Sequence, residues 1–511
     1  MESTVSHDRS QAIDVPLFIA GRFETSASSR RGDVFNPSTG RVQAHVPFCT
    51  SDEVDRAVRA ADAALPAWSE TPAVDRARVM FRFRERLHAS FEELAVLVTR
   101  EHGKTIAEAR AEMQRGIEMV EFACGIPSLL MGQAMQNLAP SVDCETNRHP
   151  LGVCAGITPF NFPSMVPLWM FPVAITCGNT FVLKPSEKVP LSAMKLAELL
   201  ADSGLPDGVF SIVHGDKTAV DALLHHPLVK AVSFVGSTGV AQHIYKTGTA
   251  NGKRVQAAGG AKNHLIIMPD ADVRLAAQAI QASAFGCAGE RCMAGSLAVP
   301  VGRIADDIVE ELCSAGRKMK VGPTDGCAEV DMGPLINAAH RDRVASYLDT
   351  ARGEGAELAL DGRSFDLPSD GFLLGPSVVD RVRPEMRLAR EEVFGPVLSV
   401  IRTGDLDEAL ELGKRCEYGN GACIFTQSGY AARQFKRQFN AGMIGINVGV
   451  PAPLAWFPFT GWNKSFFGDL HVQGTEGIQF YTQQKLTMTR WFQSANESHA
   501  DPIWTSKKGG G

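Results

Sequence analysis

The chain has 511 residues, 44% of them hydrophobic and 21% charged, with a net charge of −6 at neutral pH. That length exceeds what one hydrophobic core organises, so two or three domains of an ordinary soluble type are expected. The slightly acidic balance supplies no global positive field, which argues against wrapping nucleic acid or lying on an anionic membrane.

Residues 1–14 are polar and of mixed charge; they read as a disordered lead, neither signal peptide nor presequence. Val15 to Phe23 predicts a hairpin about Ala20-Gly21, and Val34 to Gly40 a further turn. Thr50-Ser-Asp-Glu53 offers oxygens to the free N–H groups of a first helical turn, ahead of an Ala-rich helix over 54–64. Helices follow over 74–100 and 105–130, then a strand-like run from Leu138 to Asn147. From Gly152 the pattern alternates, with strands at 152–157, 180–184, 209–213 and 231–235 and helices at 163–176, 191–203 and 217–225. The most apolar run, Met165 to Cys177, contains two prolines and falls short of the roughly 20 residues a membrane span needs. Apolar strands alternating with helices indicate a parallel sheet covered on both faces. Ligands of such sheets bind beyond the strand carboxyl ends, here after Ile157, Leu183 and Val235. A second α/β region begins near 263, with strands at 297–301, 397–401 and 443–447 and helices at 304–318, 338–353 and 406–415. Ile478 to Gln483 alternates like an exposed strand suited to another subunit's sheet edge. Ser494 to Gly511 reads as a loose tail.

The eleven cysteines are odd in number and scattered, without CxxC or CxxxH spacing. No disulfide framework or metal site is expected, and a reducing, cytoplasmic setting is. One thiol stands out. Gly286-Cys-Ala-Gly-Glu-Arg-Cys292 follows small residues with a fixed cation beside Cys292, and a neighbouring cation favours the reactive thiolate. The plain alternative is a small buried hydrophobe.

Three segments at predicted strand ends complete a possible site. Thr158-Pro-Phe-Asn-Phe-Pro163 holds Asn161 on a stiffened loop, as an amide donor to an oxyanion or as a cap of the following helix. Lys184-Pro-Ser-Glu187 suits a vicinal diol, Glu187 repelling a 2′-phosphate and favouring NAD over NADP; a solvated turn is the bland reading. Gly236-Ser-Thr-Gly239 offers bare backbone at a helix N-terminus to a pyrophosphate. Their coincidence on one sheet makes a dinucleotide site credible.

With these motifs assembled, the chain from about 17 to 491 resembles the aldehyde dehydrogenase superfamily, through Pro159-Phe-Asn-Phe-Pro163, Lys184-Pro-Ser-Glu187, Phe234-Val-Gly-Ser-Thr238, Gly289-Glu-Arg-Cys292 and Glu391-Glu-Val-Phe-Gly-Pro396. The resemblance implies a Rossmann-type NAD domain (15–130 and 151–262), an α/β catalytic domain (263–471), a small β oligomerisation flap (131–150 and 472–491) and a tail from 492. It implies Cys292 as nucleophile, with Asn161 and the Cys292 N–H as oxyanion hole. Thr158, Pro159, Phe160, Lys184, Glu187, Gly236, Ser237, Glu392 and Phe394 would line the NAD site, and no metal is implied.

A sharper resemblance, to the CoA-acylating methylmalonate-semialdehyde dehydrogenases, rests on Leu151 to Ile157, Pro167 to Pro172, Gly178-Asn-Thr180, Gly260-Ala-Lys-Asn-His264, Glu290-Arg-Cys-Met293 and Gly477 to Thr482. It implies (methyl)malonate semialdehyde as substrate, coenzyme A as co-substrate, Arg115 and Arg291 as carboxylate partners, and a homodimer or homotetramer. The bland reading of Arg115 is an ion pair with Glu112 or Glu118 on its own helix. Two departures from hydrolytic relatives matter. Ala258 occupies the place of their general-base glutamate, which favours release of an acyl enzyme by a thiol over release by water. Ala241 replaces a glycine, adding a Cβ that bears on how closely backbone approaches the pyrophosphate. The alternatives to an acylating enzyme are a hydrolytic semialdehyde dehydrogenase and a silent NAD-binding scaffold.

Overall fold

A computed structural model describes residues 12–326 and 329–492; most of the expected lead and nearly all of the expected tail lie outside them. Within the described residues two sheets carry the architecture. The first has eight strands in the order Phe466–Phe467, Arg254–Ala258, Val229–Val235, Val153–Ile157, Thr180–Lys184, Phe210–Ile212, Leu17–Ile19 and Arg22–Glu24. The five from Arg254–Ala258 to Phe210–Ile212 run parallel, with antiparallel edges on both sides. Strand order reverses between Val153–Ile157 and Val229–Val235, so the loops leaving their carboxyl ends part and open a crevice. The second sheet has seven strands, ordered Glu357–Leu360, Ser377–Asp380, Val397–Val400, Gly295–Pro300, Asn263–Ile267, Gly421–Phe425 and Met443–Ile446. Only Glu357–Leu360 is antiparallel.

Local chemistry explains the helix boundaries. Thr50 and Glu53 form a reciprocal capping box that opens the helix Ser51–Glu70, and Thr105 with Glu108 does the same for Ile106–Cys124. The expected helix over 74–100 is interrupted at Ser90, and the one over 105–130 at Gly125. Helix Met165–Thr176 is buried on every side, as an element apolar all round must be. It lies between the first sheet and helix Ile106–Cys124.

Two sequence expectations are corrected. The lead is not disordered to residue 14, because Ile13–Asp14 pairs in parallel with Ala44 and His45. Ile478 to Gln483 is not one exposed strand: Gly474–Tyr481 is helical, and the strand begins at Thr482. Ile478, Phe480 and Tyr481 are all buried; their spacing imitates alternation, but packing against helix Met165–Thr176 decides in favour of helix. The flap sheet is therefore Ala134–Ala139, Val142–Pro150 and Thr482–Arg490. No helix among the described residues is long and apolar enough to cross a membrane.

Asn179 ties the flap to the first sheet. Its Oδ1 accepts from the Leu151 and Gly152 N–H groups at 2.8 and 3.0 Å, and its Nδ2 donates to the Ala174 and Tyr481 carbonyls at 3.0 and 2.9 Å. We expect Asn179→Leu, which strands these partners in a dry interior, to cost about 3 kcal/mol or more. Scanning calorimetry would report this as a lowered apparent Tm.

Candidate active site

Cys292 is the shared wall of two cavities. On one side lies a cleft of about 1060 Å³ at the carboxyl ends of the first sheet, lined among others by Thr158, Lys184, Glu187, Gly236, Glu392 and Phe394. Pro159, Phe160, Asn161 and Ser237 line it as well, so the three strand-end motifs and the Glu391 to Pro396 segment meet here. On the other side lies an apolar funnel of about 410 Å³, walled by Phe162, Trp169, Met293, Val450 and Phe459, with Arg115 and Arg291 also in its lining.

The turn that delivers the thiol is strained. Cys287, Ala288 and Gly289 have φ of 49°, 51° and 72°, a left-handed run that costs non-glycine residues of order 1–3 kcal/mol each. Gly289 admits no side chain, since a Cβ would sit 2.2 Å from the Gly395 carbonyl oxygen. Side chains from elsewhere hold the turn. Glu108 Oε1 accepts from the Cys287 N–H at 2.6 Å, and Asn161 Nδ2 donates to the Glu290 carbonyl at 2.9 Å. Asn263 and Asn420 both donate to the Cys292 carbonyl at 2.9 Å.

Asn161 does not cap the following helix: Ser164 occupies the N-cap, and the helix starts at Met165. One hydrogen of its amide is used on Glu290, leaving the other available near the thiol.

The expected cation beside Cys292 is a correction. Arg291 turns away, donating through Nε to Cys287 Sγ at 3.2 Å, through one terminal nitrogen to Glu108 at 3.0 Å and through the other to the Ala282 carbonyl. Burial pushes the Cys292 thiol up to about 12, the Glu392 carboxylate adds to the rise, and Arg291 only weakly opposes it. Sequence adjacency put the charge one residue away; side-chain direction gave it to Cys287. Glu392 is itself raised to about 7 by burial, against the Ala261 N–H it accepts at 2.9 Å and the Lys262 cation.

Several features fit a dinucleotide in the cleft. The Thr158 hydroxyl is buried without a partner. Gly236 precedes Ser237, the N-cap residue of helix Thr238–Ala250, and a Cβ on it would collide with the Phe234 ring at 2.5 Å. Lys184 and Glu187 face one another at 3.3 Å, donor beside acceptor. Ala241 is fully buried in the core beneath this helix, so its methyl group points away from the cleft. Ala258 ends its strand buried beside Phe466 and offers no base. Arg115 pairs with Glu118 at 3.2 Å, as its helical spacing allowed, yet stays substantially exposed.

Sequence reading missed His340, Arg343, Tyr347 and Tyr418 in the cleft lining, and Lys104, Glu108, Glu112, Asn263 and Asn420 around the thiol. Glu108, Glu112 and Arg115 recur at helical spacing on one face, a signal that was legible. Asn420 carried none.

The aldehyde dehydrogenase family model matches residues 23–487. The chain is 51% identical over 476 residues to malonate-semialdehyde dehydrogenase 1 of Geobacillus thermodenitrificans, covering 93% of this chain and 98% of that protein. It is 50% identical to the malonate-semialdehyde dehydrogenase of Pseudomonas aeruginosa, covering 92% and 95%. The crystal structure of methylmalonate-semialdehyde dehydrogenase from Oceanimonas doudoroffii superposes with a TM-score of 0.93 at 48% identity, covering 94% of this chain and 99% of that one. A Sinorhizobium meliloti chain solved with NAD superposes equally well, at 0.93 and 45% identity, covering 96% and 100%.

Because the thiol is held protonated, alkylation of Cys292 by iodoacetamide should still be rising with pH at pH 9. Glu392→Gln removes the second cause of the shift and stabilises the thiolate. It should speed alkylation at pH 8, by about tenfold for each unit the pKa falls. Mass spectrometry of the modified peptide checks both.

Proposed function

This chain belongs to the aldehyde dehydrogenase family, and we propose that it oxidises malonate semialdehyde or its 2-methyl homologue, passing the decarboxylated acyl group to coenzyme A. One observation carries the reading: a thiol walled between a cleft of nucleotide size that contains Thr158, Lys184, Glu187 and Glu392, and an apolar funnel that contains two guanidinium groups. The names of its half-identical relatives support the semialdehyde.

When bound, NAD supplies the hydride acceptor and a positively charged nicotinamide ring. Lys184 and Glu187 would hold one ribose, Gly236 and Ser237 the pyrophosphate, and Glu392 with Phe394 the nicotinamide end. The Cys292 thiol gives up its proton to solvent through the cleft, and the thiolate sulfur forms a bond to the aldehyde carbon as the carbonyl π electrons move to oxygen. The free amide hydrogen of Asn161 and the Cys292 N–H stabilise that oxyanion; losing one such donor costs about 3 kcal/mol. The same carbon then gives up its hydride, leaving a thioester on Cys292. The substrate carboxylate is now β to that thioester carbonyl. It departs as CO₂, the C–C electron pair delocalising toward the thioester oxygen before the α-carbon takes a proton.

Release needs a second nucleophile. Ala258 supplies no carboxylate to draw a proton from water, and positioned bases contribute about 10²–10⁴-fold. The coenzyme A thiol ionises far more readily, so as a thiolate it displaces Cys292 and leaves with propionyl or acetyl. The exposed Met135, Leu138, Leu486 and Met488 of the flap support assembly as a homodimer or homotetramer.

With semialdehyde, NAD and coenzyme A, we expect steady NADH formation with acyl-CoA and CO₂ as products. Without coenzyme A we expect one burst near the enzyme concentration and then a stall. Sustained turnover to free acid in the absence of coenzyme A would reverse the reading in favour of hydrolysis. Cys292→Ala should abolish the burst.

Arg115 is the arginine that is free to exchange partners, since Arg291 already makes three contacts. Arg115→Ala should raise KM for the semialdehyde by about 10–100-fold, as loss of a charge-assisted pair implies, and leave KM for propanal nearly unchanged. Steady-state kinetics on both aldehydes separates carboxylate recognition from general damage.

A further inference from the structure

We infer that the buried Lys104–Glu112 pair positions Asn161, so that the strength of the oxyanion hole is set from a different helix; this rests on the functional reading given above. Both side chains are completely shielded from solvent, and Lys104 Nζ lies 2.6 Å from Glu112 Oε2. The ammonium also donates to the main-chain carbonyl of Asn161 at 2.7 Å and stands 4.1 Å over the ring of Phe162. The other carboxylate oxygen, Glu112 Oε1, accepts the N–H groups of Ser164 at 2.9 Å and Met165 at 3.1 Å. One ion pair therefore grips the segment 161–165 at both ends, by a carbonyl at the front and two N–H groups at the back.

The segment needs such a grip. Pro159 and Pro163 have no N–H to give, so the loop between them is short of main-chain donors. With the Asn161 carbonyl on Lys104 and its amide on Glu290, the residue is fixed at two points and its second amide hydrogen has a defined direction. A donor aimed in advance costs no reorganisation when charge develops on the substrate oxygen, which is the source of its catalytic value.

The ion pair is also placed to coordinate nucleophile and donor. Glu108 lies one turn before Glu112 on helix Ile106–Cys124 and accepts from the Cys287 N–H and from Arg291. One rigid helix face thus carries the anchor of the thiol turn and the anchor of the oxyanion loop. A stiff element holding both fixes their separation more tightly than two loops would. Isolated burial of either charge is costly, whereas removing both together is often tolerated, and this makes the inference testable.

The experiment is a mutant cycle with NAD, coenzyme A and semialdehyde: wild type, Asn161→Ala, the double variant Lys104→Met with Glu112→Gln, and the triple variant combining all three. Asn161→Ala should lower kcat by about 10²–10³-fold, and the double variant by a factor approaching that. The triple variant should be no slower than Asn161→Ala alone, because the pair acts through that side chain. The rate of Cys292 alkylation should be the same in all four, as a general loosening of the site would not allow. Losses that multiply in the triple variant, or a double variant with wild-type kcat, would overturn the assignment. If the double variant fails to fold, Lys104→Gln with Glu112→Gln, which again removes both charges together and keeps an acceptor for Ser164 and Met165, goes through the same cycle under the same criteria. A wild type that oxidises no aldehyde would instead refute the functional reading.

Discussion

The left-handed turn Cys287 to Gly289 is the constraint on which the site depends. Three consecutive residues at positive φ are unfavourable by themselves, and the chain adopts them because several side chains from distant segments close on the turn at once. Glu108 takes the first N–H, Asn161 the Glu290 carbonyl, and Asn263 with Asn420 the Cys292 carbonyl. The turn in exchange presents one sulfur to two cavities.

The bonds that hold the turn come from segments of both sheets. Asn263 opens one strand of the second sheet and Asn420 directly precedes the neighbouring one, and they fix the Cys292 segment to that sheet. Asn161 leaves the first sheet after Val153–Ile157 and reaches across. The seam between the sheets is therefore bridged by the groups that bond to the reacting segment, and relative movement of the two sheets would be felt at the thiol. A neutral thiol in the free protein is consistent with this enclosure: burial and the Glu392 carboxylate raise its pKa more than Arg291, already committed to Glu108, can lower it.

The charges around the funnel follow a similar economy. Lys104 with Glu112 and Arg291 with Glu108 are paired internally, so the apolar wall carries little net field. Among the described residues Arg115 makes one ion pair, to the half-buried Glu118 three residues away. On the functional reading proposed above, selectivity for an anionic aldehyde would come from an exchangeable partner at one place, while the internal pairs would do geometric work.

The sequence by itself determined the alternation of apolar strands and helices, and hence two parallel sheets, because hydrophobic periodicity and end-capping are local properties. It also located the strand-end loops that line the cleft, since parallel sheets expose their carboxyl ends by construction. It misread Gly474–Tyr481, where apolar residues two apart serve a helix packed on another helix, and it gave the Arg291 charge to the wrong cysteine. Only the tertiary structure decided that Arg291 turns to Cys287, that Glu108 and Glu112 anchor opposite sides of the site, and that Asn420 bonds to Cys292 across 128 residues of chain. Side-chain direction and long-range hydrogen bonding depend on which surfaces meet in space, and spacing along the chain does not encode that.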